Sequence, residues 1–202
     1  MTSSTRNAAI RRATIHDVPG AYRVCLQTAD RGADASPEFQ NPDLLGHIFV
    51  GPYLAGAGDY ALIVSDANGV AGYSLAVGDT EAFEDWEERV WWPSLREQYP
   101  FITGENADAE LIRRLHAPVR IPAALRDEYP AHLHIDLLPR VRGRGLGRAL
   151  IARQIDALRE AGVGGVHLGV DPRNVNAVEF YRHLGFASLS RKSDEEMMGL
   201  ML

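Results

Sequence analysis

A short run of glycine and arginine is the part of this sequence best suited to chemistry. Gly143, Gly145 and Gly147 lack a Cβ, so the backbone N–H groups around them can approach a ligand closely. The run leads into a segment of helical periodicity, and a helix N-terminus favours an anion. Five arginines precede the next acidic residue: Arg140, Arg142, Arg144, Arg148 and Arg153. In a chain of formal net charge -6, this local excess of positive charge predicts a binding site for a diphosphate.

The segments on either side of this loop have the patterns of regular elements that could position it. Upstream, apolar and polar residues alternate from Leu133 to Leu137, which is the periodicity of a strand, and Pro139 ends the pattern. Downstream, apolar residues recur with helical spacing from Leu146, and Gly162 stands where a left-handed C-terminal cap is expected. The sequence therefore predicts a strand, an anion-binding loop and a helix in immediate succession.

Two well-known phosphate-binding loops do not match this run. A P-loop ends in Gly-Lys followed by Ser or Thr, whereas here the chain reads Gly145-Leu146-Gly147-Arg148. The dinucleotide-binding fingerprint requires glycine at its sixth position, which is Arg148 when counted from Gly143. An ordinary glycine-rich turn with solvated arginines remains an alternative.

The composition restricts the class of protein. With 202 residues, 46% hydrophobic and 24% charged, the chain is expected to form one soluble globular domain at 8–202, after a loose tail at 1–7. The negative net charge argues against nucleic acid as a partner. The N-terminus has no apolar signal core, and no stretch is long and apolar enough to cross a membrane. A cytoplasmic location without membrane contact is therefore expected.

Neither cysteine nor histidine suggests a metal site. Cys25 is the only cysteine, which rules out an internal disulfide and a cysteine-based zinc site. It falls on an apolar helical stripe, so we predict a buried structural thiol. Four histidines lack metal-binding spacing: His132, His134, His167 and His183.

The remaining chain shows strand and helix patterns in alternation. Strands are expected at 8–14, 60–65, 70–77 and 165–170, with a last strand in the tail to Leu202. Asn68-Gly69 predicts a hairpin between two of these strands. A short helix is expected at 42–49, followed by a turn at Gly51-Pro52.

A connection of about fifty residues, 79–130, precedes the strand that leads to the loop. Connections of this length usually form lids or binding elements. A helix is expected at 81–98, with four apolar residues near one side: Phe83, Trp86, Val90 and Leu95. Trp91 and Trp92 diverge by about 100° on a helix, so at least one of the three tryptophans is expected to face a cleft, a partner chain or a lid contact. The alternative is a packed insertion whose aromatic residues form its own core.

A second motif follows the strand at 165–170. Its members are Asn174, Ala177, Tyr181, Gly185 and Phe186. Asn174 or Asp171 can cap a helix that Gly185 ends.

Together the two motifs resemble the signatures of the GNAT superfamily of acyltransferases. The first signature, Arg/Gln-x-x-Gly-x-Gly/Ala, is met by Arg142, Gly145 and Gly147, and the second is met by the motif that starts at Asn174. The resemblance implies an α/β (α+β) fold with a central mixed, mostly antiparallel sheet that splays between its fourth and fifth strands. Helices are expected on both faces, with the insertion before the fourth strand.

Within the superfamily, most of the chain from Ile10 onward is similar to the acetyltransferase-like domain at the C-terminus of animal O-linked N-acetylglucosaminidase and to its free-standing bacterial relatives. The similarity includes Asn41-Pro42-Asp43, Gly72-Tyr73-Ser74 and Trp92-Pro93. The animal domain has a degraded phosphate loop, whereas the loop is complete here. Cofactor binding is therefore inferred from the superfamily motif.

The resemblance implies acetyl-CoA as the acyl donor, bound in the splay of the sheet. The residues that it assigns to the cofactor are Ile135, Asp136, Leu137, Leu138, Arg142, Gly143, Arg144, Gly145, Leu146, Gly147, Arg148, Asn174, Ala177 and Tyr181. The first four would pair through the backbone with the pantetheine amides, and the loop would hold the diphosphate.

Direct attack of an amine on a thioester needs a base for the amine and an acid for the leaving thiolate. Tyr181 stands at the motif position that points at the cofactor sulfur and is the candidate acid, although a tyrosine on such a helix can also be core. Asp136 is the candidate base, acting directly or through water. It could instead cap an N–H or pair with His132 or His134.

Two functions remain open from the sequence. The first is an acetyltransferase acting on a small-molecule or peptide amine, and the second is a module that binds acetyl-CoA or an acylated ligand without turnover. Six acids near the tryptophans favour a cationic acceptor held under the insertion: Asp79, Glu81, Glu84, Asp85, Glu87 and Glu88. Both a monomer and a homodimer are compatible with the sequence.

Overall fold

The computed structural model describes residues 8–56 and 60–202, so the predicted tail at 1–7 lies outside the described part. The strands are β1 Ala9–Arg12, β2 Ala61–Asp66, β3 Gly69–Val77, β4 Ala131–Leu137, β5 Gly165–Val170, β6 Ala187–Arg191 and β7 Glu196–Met201. The helices are α1 Val18–Leu26, α2 Leu44–Phe49, α3 Gly51–Gly56, α4 Thr80–Trp86, α5 Trp92–Gln98, α6 Ala107–His116, α7 Ala123–Glu128, α8 Leu146–Glu160 and α9 Val175–His183. A π-helical segment, Glu87–Trp91, joins α4 to α5.

The seven strands form one sheet in the order β1-β2-β3-β4-β5-β7-β6. Every neighbouring pair is antiparallel except β4 and β5, which are parallel. The predicted mixed, mostly antiparallel sheet is thus confirmed. The chain reaches β5 from β4 through α8, because parallel neighbours need a crossover connection.

The sheet opens between its two parallel strands. Only Ala131 and His132 of β4 pair with β5, opposite Val166 and His167. Beyond His132 the strand stays paired with β3 as far as Leu137, whereas its other edge leaves β5. The backbone groups on that edge are therefore open to a ligand, and the predicted splay is confirmed.

Helices cover both faces of the sheet and bury separate cores. On one face, α8 and α9 pack on β4 and β5 through Ile151, Leu158 and Tyr181. On the other face, α1 and α3 pack on β2 and β3 through Val24 and Tyr53. Each core removes apolar side chains from water, which is the main stabilising term for such a layered fold.

The N-terminal half departs from the predicted elements at two places. The first strand ends at Arg12 rather than at residue 14, because the backbone N–H of Thr14 donates to Oδ2 of Asp17 at 2.8 Å and starts the next helical turn. The expected turn at Gly51-Pro52 is wrong. Those residues begin α3, where proline is tolerated because the first helical N–H groups need no partner within the helix.

Two further expectations concern Cys25 and the C-terminal tail. Cys25 is buried, as predicted, and burial raises the pKa of its thiol to about 12. The C-terminal tail forms two strands, β6 and β7, where one was expected.

The predicted single helix at 81–98 is interrupted by the π-helical segment. The extra residue in its wider turn changes which side chains face inward. Phe83 and Leu95 are buried as expected, but Val90 is 57% exposed, so its placement on the buried side was wrong. Trp92 is buried in its stead, within the core that the insertion forms with α2.

The insertion, residues 79–130, is tied to α2 and to the residues just before it by specific hydrogen bonds. The carboxylate of Asp108, at the start of α6, accepts from the backbone N–H groups of Gln40 and Asn41 at 3.1 and 3.0 Å. The indole N–H of Trp91 donates to the carbonyl oxygen of His47 at 2.8 Å. These contacts hold the insertion against α2, beside the opening of the sheet.

Candidate functional site

The glycine loop leads into α8 with a geometry that leaves room for a ligand. Gly143 and Gly145 have φ angles of +70° and +76°, which favour glycine, and a Cβ at either position would meet nothing within 4 Å. Gly145 is the N-cap of α8 and provides no side chain to bond the first-turn N–H groups. These donors can therefore bind an anion.

Gly147 is needed for packing. A Cβ there would lie 3.3 Å from the ring of Phe180, so its absence lets α8 approach α9 closely. Leu146 packs partly buried at the start of the same helix. These two predicted cofactor residues therefore set the position of the helix N-terminus.

The arginines of the loop differ in how their side chains are held. Arg142 donates from Nε to the carbonyl oxygen of Leu137 and from Nη2 to that of Gly32, both at 2.7 Å, so its side chain fastens the loop. Arg144 and Arg148 are exposed beside the glycines, at the N-terminus of α8. Their side chains, rather than that of Arg142, are placed to meet an anion.

The predicted backbone-pairing segment lies on the open part of β4. Ile135, Asp136 and Leu137 follow the last residue that pairs with β5. Leu138 continues from the strand, and its N–H donates to the carbonyl oxygen of Ala71 at 2.8 Å. The segment therefore presents a free backbone edge toward β5 while its other edge is held by β3.

The second motif positions Tyr181 on α9. The side chain of Asn174 accepts from the N–H of Ala177 at 3.2 Å and caps the helix, so its oxygen is used structurally. Ala177 packs against the core of β4 and β5. Tyr181 is 7% exposed, and its ring lies 5.7 Å from that of Phe186. Burial and the charge of Asp136 raise the pKa of Tyr181 above its ordinary value, which keeps the phenol protonated.

Asp136 is held by a residue that sequence reasoning missed. The hydroxyl of Tyr73, its cross-strand neighbour on β3, donates to Oδ2 at 2.6 Å. No hydrogen bond joins Asp136 to His132 or His134, its alternative partners from the sequence, in the part of the chain that the structure describes. Burial raises the pKa of Asp136 to about 6, although the bond from Tyr73 opposes the shift. Such a pKa suits a general base near neutral pH.

His132 has partners at both of its ring nitrogens. The hydroxyl of Thr80 donates to the carbonyl oxygen of Pro130 at 2.7 Å, so at 2.8 Å from Nδ1 it must accept the ring N–H. The remaining nitrogen, Nε2, accepts from the hydroxyl of Tyr53 at 2.7 Å. Burial keeps the pKa of His132 well below its ordinary value. The ring is therefore neutral and structural, with the tautomer assigned from this network.

Two other histidines border a cavity. His134 lies beside the ring of Tyr53, with 5.4 Å between ring centroids, and burial lowers its pKa to about 4. His167 is 2% exposed, and its Nδ1 donates to the carbonyl oxygen of Tyr129 at 2.8 Å. Its Nε2 has no hydrogen-bond partner among the described residues. The sequence suggested His134 only as an alternative partner of Asp136 and gave His167 no role, because β4 and β5 are far apart in the chain.

The cavity has a volume of about 610 Å³, within the range of small-molecule sites. Its walls come mainly from α2, α3, the insertion, β4 and β5, with residues 194–197 at the start of β7 on one side. Among its lining residues are Tyr53, Phe83, Glu87, Trp92, Arg114 and His134. The three tryptophans separate as expected: Trp92 lines the cavity, whereas Trp86 and Trp91 stack on each other with 6.1 Å between centroids. The insertion thus forms one wall of a cavity beside the open strand.

The fold and site define the class of protein, and comparison with known proteins identifies its family. The model of the Acetyltransferase (GNAT) family matches residues 82–186, more than half of the chain. The chain therefore belongs to the GNAT acetyltransferase family. Members of this family use acetyl-CoA.

The chain is also similar to particular proteins of known sequence or structure. The rat Protein O-GlcNAcase (Rattus norvegicus) is 25% identical over 195 residues, which are 95% of this chain and 21% of that protein, so the chain spans about a fifth of its length. Mycothiol acetyltransferase of Beutenbergia cavernae is 46% identical over 105 residues, 52% of this chain and 32% of that protein. The crystal structure of SsHAT superimposes with a TM-score of 0.90 at 34% identity, covering 96% of this chain and 98% of that one.

The part of the chain that the structure describes has neither a metal-binding cluster nor a membrane-spanning helix. No group of histidine, cysteine and acidic side chains there could hold a metal ion. None of the helices at 8–56 and 60–202 is long and apolar enough to span a membrane.

Proposed function

We propose that this protein transfers the acetyl group of acetyl-CoA to an amine bound in the cavity beside β4. The observation that carries the proposal is the arrangement of two sites around one open strand edge. The glycine loop and the N-terminus of α8 lie at the end of β4, and the cavity lies beside its middle. A donor that runs along this edge would meet an acceptor from the cavity.

The residues of the loop suit the diphosphate of acetyl-CoA. Positive φ angles at Gly143 and Gly145, open space at both Cβ positions and the uncapped first turn of α8 form a cradle of N–H donors. Arg144 and Arg148 add positive charge beside it. When bound, acetyl-CoA would supply an activated thioester, and the open edge of β4 would align it.

Asp136 is the proposed base. A carboxylate with a pKa of about 6 is mostly ionised at neutral pH and can accept a proton from an ammonium group, directly or through water. Tyr73 orients this carboxylate through its 2.6 Å hydrogen bond. His132 is a poor alternative because both of its ring nitrogens are engaged.

Tyr181 is the proposed acid. Its phenol is buried and stays protonated, so it can donate a proton to the thiolate that leaves. The negative charge of Asp136 adds to the effect of burial in keeping this phenol protonated. Asp136 on β4 would serve the entering amine, and Tyr181 on α9 would serve the leaving sulfur.

Steady-state release of coenzyme A thiol from acetyl-CoA tests this proposal. A panel of primary amines should include at least one that accelerates thiol release and appears as the N-acetyl product in mass spectrometry. Acetyl-CoA binding without any acetylated product would support the second candidate, a module without turnover. The observation that favours that candidate is the engagement of His132 and Asp136 by neighbouring side chains.

A further inference from the structure

Four of the five acidic side chains of α4 and the π-helical segment are paired with arginine. Each of these four has an arginine nitrogen within 3.0 Å: Glu81 with Arg126, Glu84 and Asp85 with Arg120, and Glu88 with Arg96. Among the described residues, Glu87 has no such partner. It is nevertheless half-buried and lines the cavity.

Glu87 lies where the helical hydrogen-bond pattern changes, although its own backbone angles are ordinary helical ones. It is the first residue of the π-helical segment Glu87–Trp91. Such segments are rare, because an extra residue per turn weakens helical packing, and they recur at functional sites. The segment is held from both sides, by the Trp91 indole on His47 and by the burial of Trp92. The π-helical segment therefore begins at the residue whose carboxyl group lines the cavity without an arginine partner.

The other acidic residues that line the cavity differ from Glu87: Glu84, Glu88 and Asp171 are paired with arginine, and Asp194 and Glu195 are exposed. His167 presents a buried, unpartnered Nε2, and His134 is neutral, so both rings can accept a hydrogen bond. Arg114, the cavity-lining arginine of α6, lies over the Phe49 ring at 5.0 Å from its centroid and is exposed. It forms no ion pair with Glu87 within 4.0 Å. The pKa of Glu87 rises to about 8 through burial and the charges of Glu84 and Glu88, against the effect of Arg114.

We propose that Glu87 determines acceptor specificity by binding a second positive charge on the acceptor, so that diamines are preferred to monoamines. This inference rests on the proposed acetyl transfer. The amine that is acetylated must lose its charge before it attacks, so that charge cannot hold it during the reaction. A second ammonium group on the wall formed by the insertion would keep its charge throughout and would ionise Glu87 on binding.

The experiment compares matched amines. Diamines from propane-1,3-diamine to hexane-1,6-diamine are each paired with the monoamine of the same chain length. The rate of thiol release gives kcat/KM, and calorimetry gives the affinity of each probe. The wild-type protein should prefer one or more diamines by at least about tenfold, the scale of one charge-assisted hydrogen bond. Glu87→Gln should reduce this preference to less than about twofold and leave acetyl-CoA affinity unchanged.

Glu88→Gln is the matched control. It removes a neighbouring carboxylate that also lines the cavity but is paired with Arg96, so the preference should persist. The inference is overturned if no diamine is preferred, or if Glu87→Gln keeps the preference. Glu87-dependent binding of diamines without acetylation would instead contradict the proposed function alone. Acetylation of amines without a preference would contradict only the role of Glu87.

Discussion

The two sides of the opening between β4 and β5 are built in different ways. The loop side comes from one stretch of chain, in which the glycines, the N-terminus of α8 and the second motif follow one another, and it offers mainly backbone groups. The cavity side is assembled from α2, α3, the insertion and two strands, and it offers side chains with shifted pKa values. A ligand common to a family can be bound by a contiguous backbone motif, whereas a particular acceptor needs side chains from distant segments.

The largest expected effect concerns Tyr181, the residue proposed as the acid in the transfer between the two sides. Tyr181→Phe should lower kcat about a hundredfold, because general acid catalysis typically contributes at least that much, and should leave the Kd of acetyl-CoA nearly unchanged. Assays of thiol release measure kcat, and calorimetry measures the Kd of acetyl-CoA. Tyr60→Phe, in a partly buried tyrosine of the same core, is the control. A lower Tm with unchanged kcat would make the hydroxyl structural.

The next effect isolates the loop side. Gly145→Glu should weaken acetyl-CoA binding at least about thirtyfold, or about 2 kcal/mol, because a charged side chain enters the space of the diphosphate. Gly162→Glu is a close control at the other end of α8, since its φ of +75° matches the +76° of Gly145 and a Cβ there also meets nothing within 4 Å. Equal loss of affinity in both variants would attribute the effect to backbone strain. Binding of amines in the cavity should be unaffected.

A smaller effect concerns the free energy of unfolding, which is lowered by the carboxyl group of Glu87 on the cavity side. Above pH 4.5 the unfolded chain ionises Glu87, whereas the folded protein resists ionisation up to about pH 8, so this group lowers stability as pH rises through that window. Glu87→Gln should therefore raise the free energy of unfolding by about 1–3 kcal/mol at pH 8 and by little at pH 5. Urea unfolding at both pH values measures the difference. Equal or lower stability at pH 8 would contradict it.

The smallest effect concerns Tyr73, which supports the proposed base. Its hydrogen bond stabilises the Asp136 carboxylate, so Tyr73→Phe should raise the pKa of Asp136 above 6. The rise of kcat/KM with pH should then shift upward by about one pH unit, with several-fold lower activity near pH 6.5 and similar activity near pH 8.5. Circular dichroism checks the fold of the variant. An unshifted profile would show that a different group controls the rate.

The fold was largely predictable because its strongest signals are local. Helical periodicity placed α8, and the motif at Asn174 placed α9 together with its cap. Strand alternation placed β4, although not where it parts from β5. The exposure of Val90 was not predictable. It follows from the π-helical turn, which depends on the packing of the insertion against α2 rather than on local propensity.

By itself, the sequence determined the loop side of the site, because backbone chemistry there depends on glycines and helix termini that are close in the chain. Only the tertiary structure decided the cavity side. It joined Tyr73 to Asp136 across two strands and engaged both nitrogens of His132. It also left Glu87 without the arginine that its neighbours have. Burial and pairing between residues far apart in the chain set these properties, and both depend on how the insertion packs on the sheet.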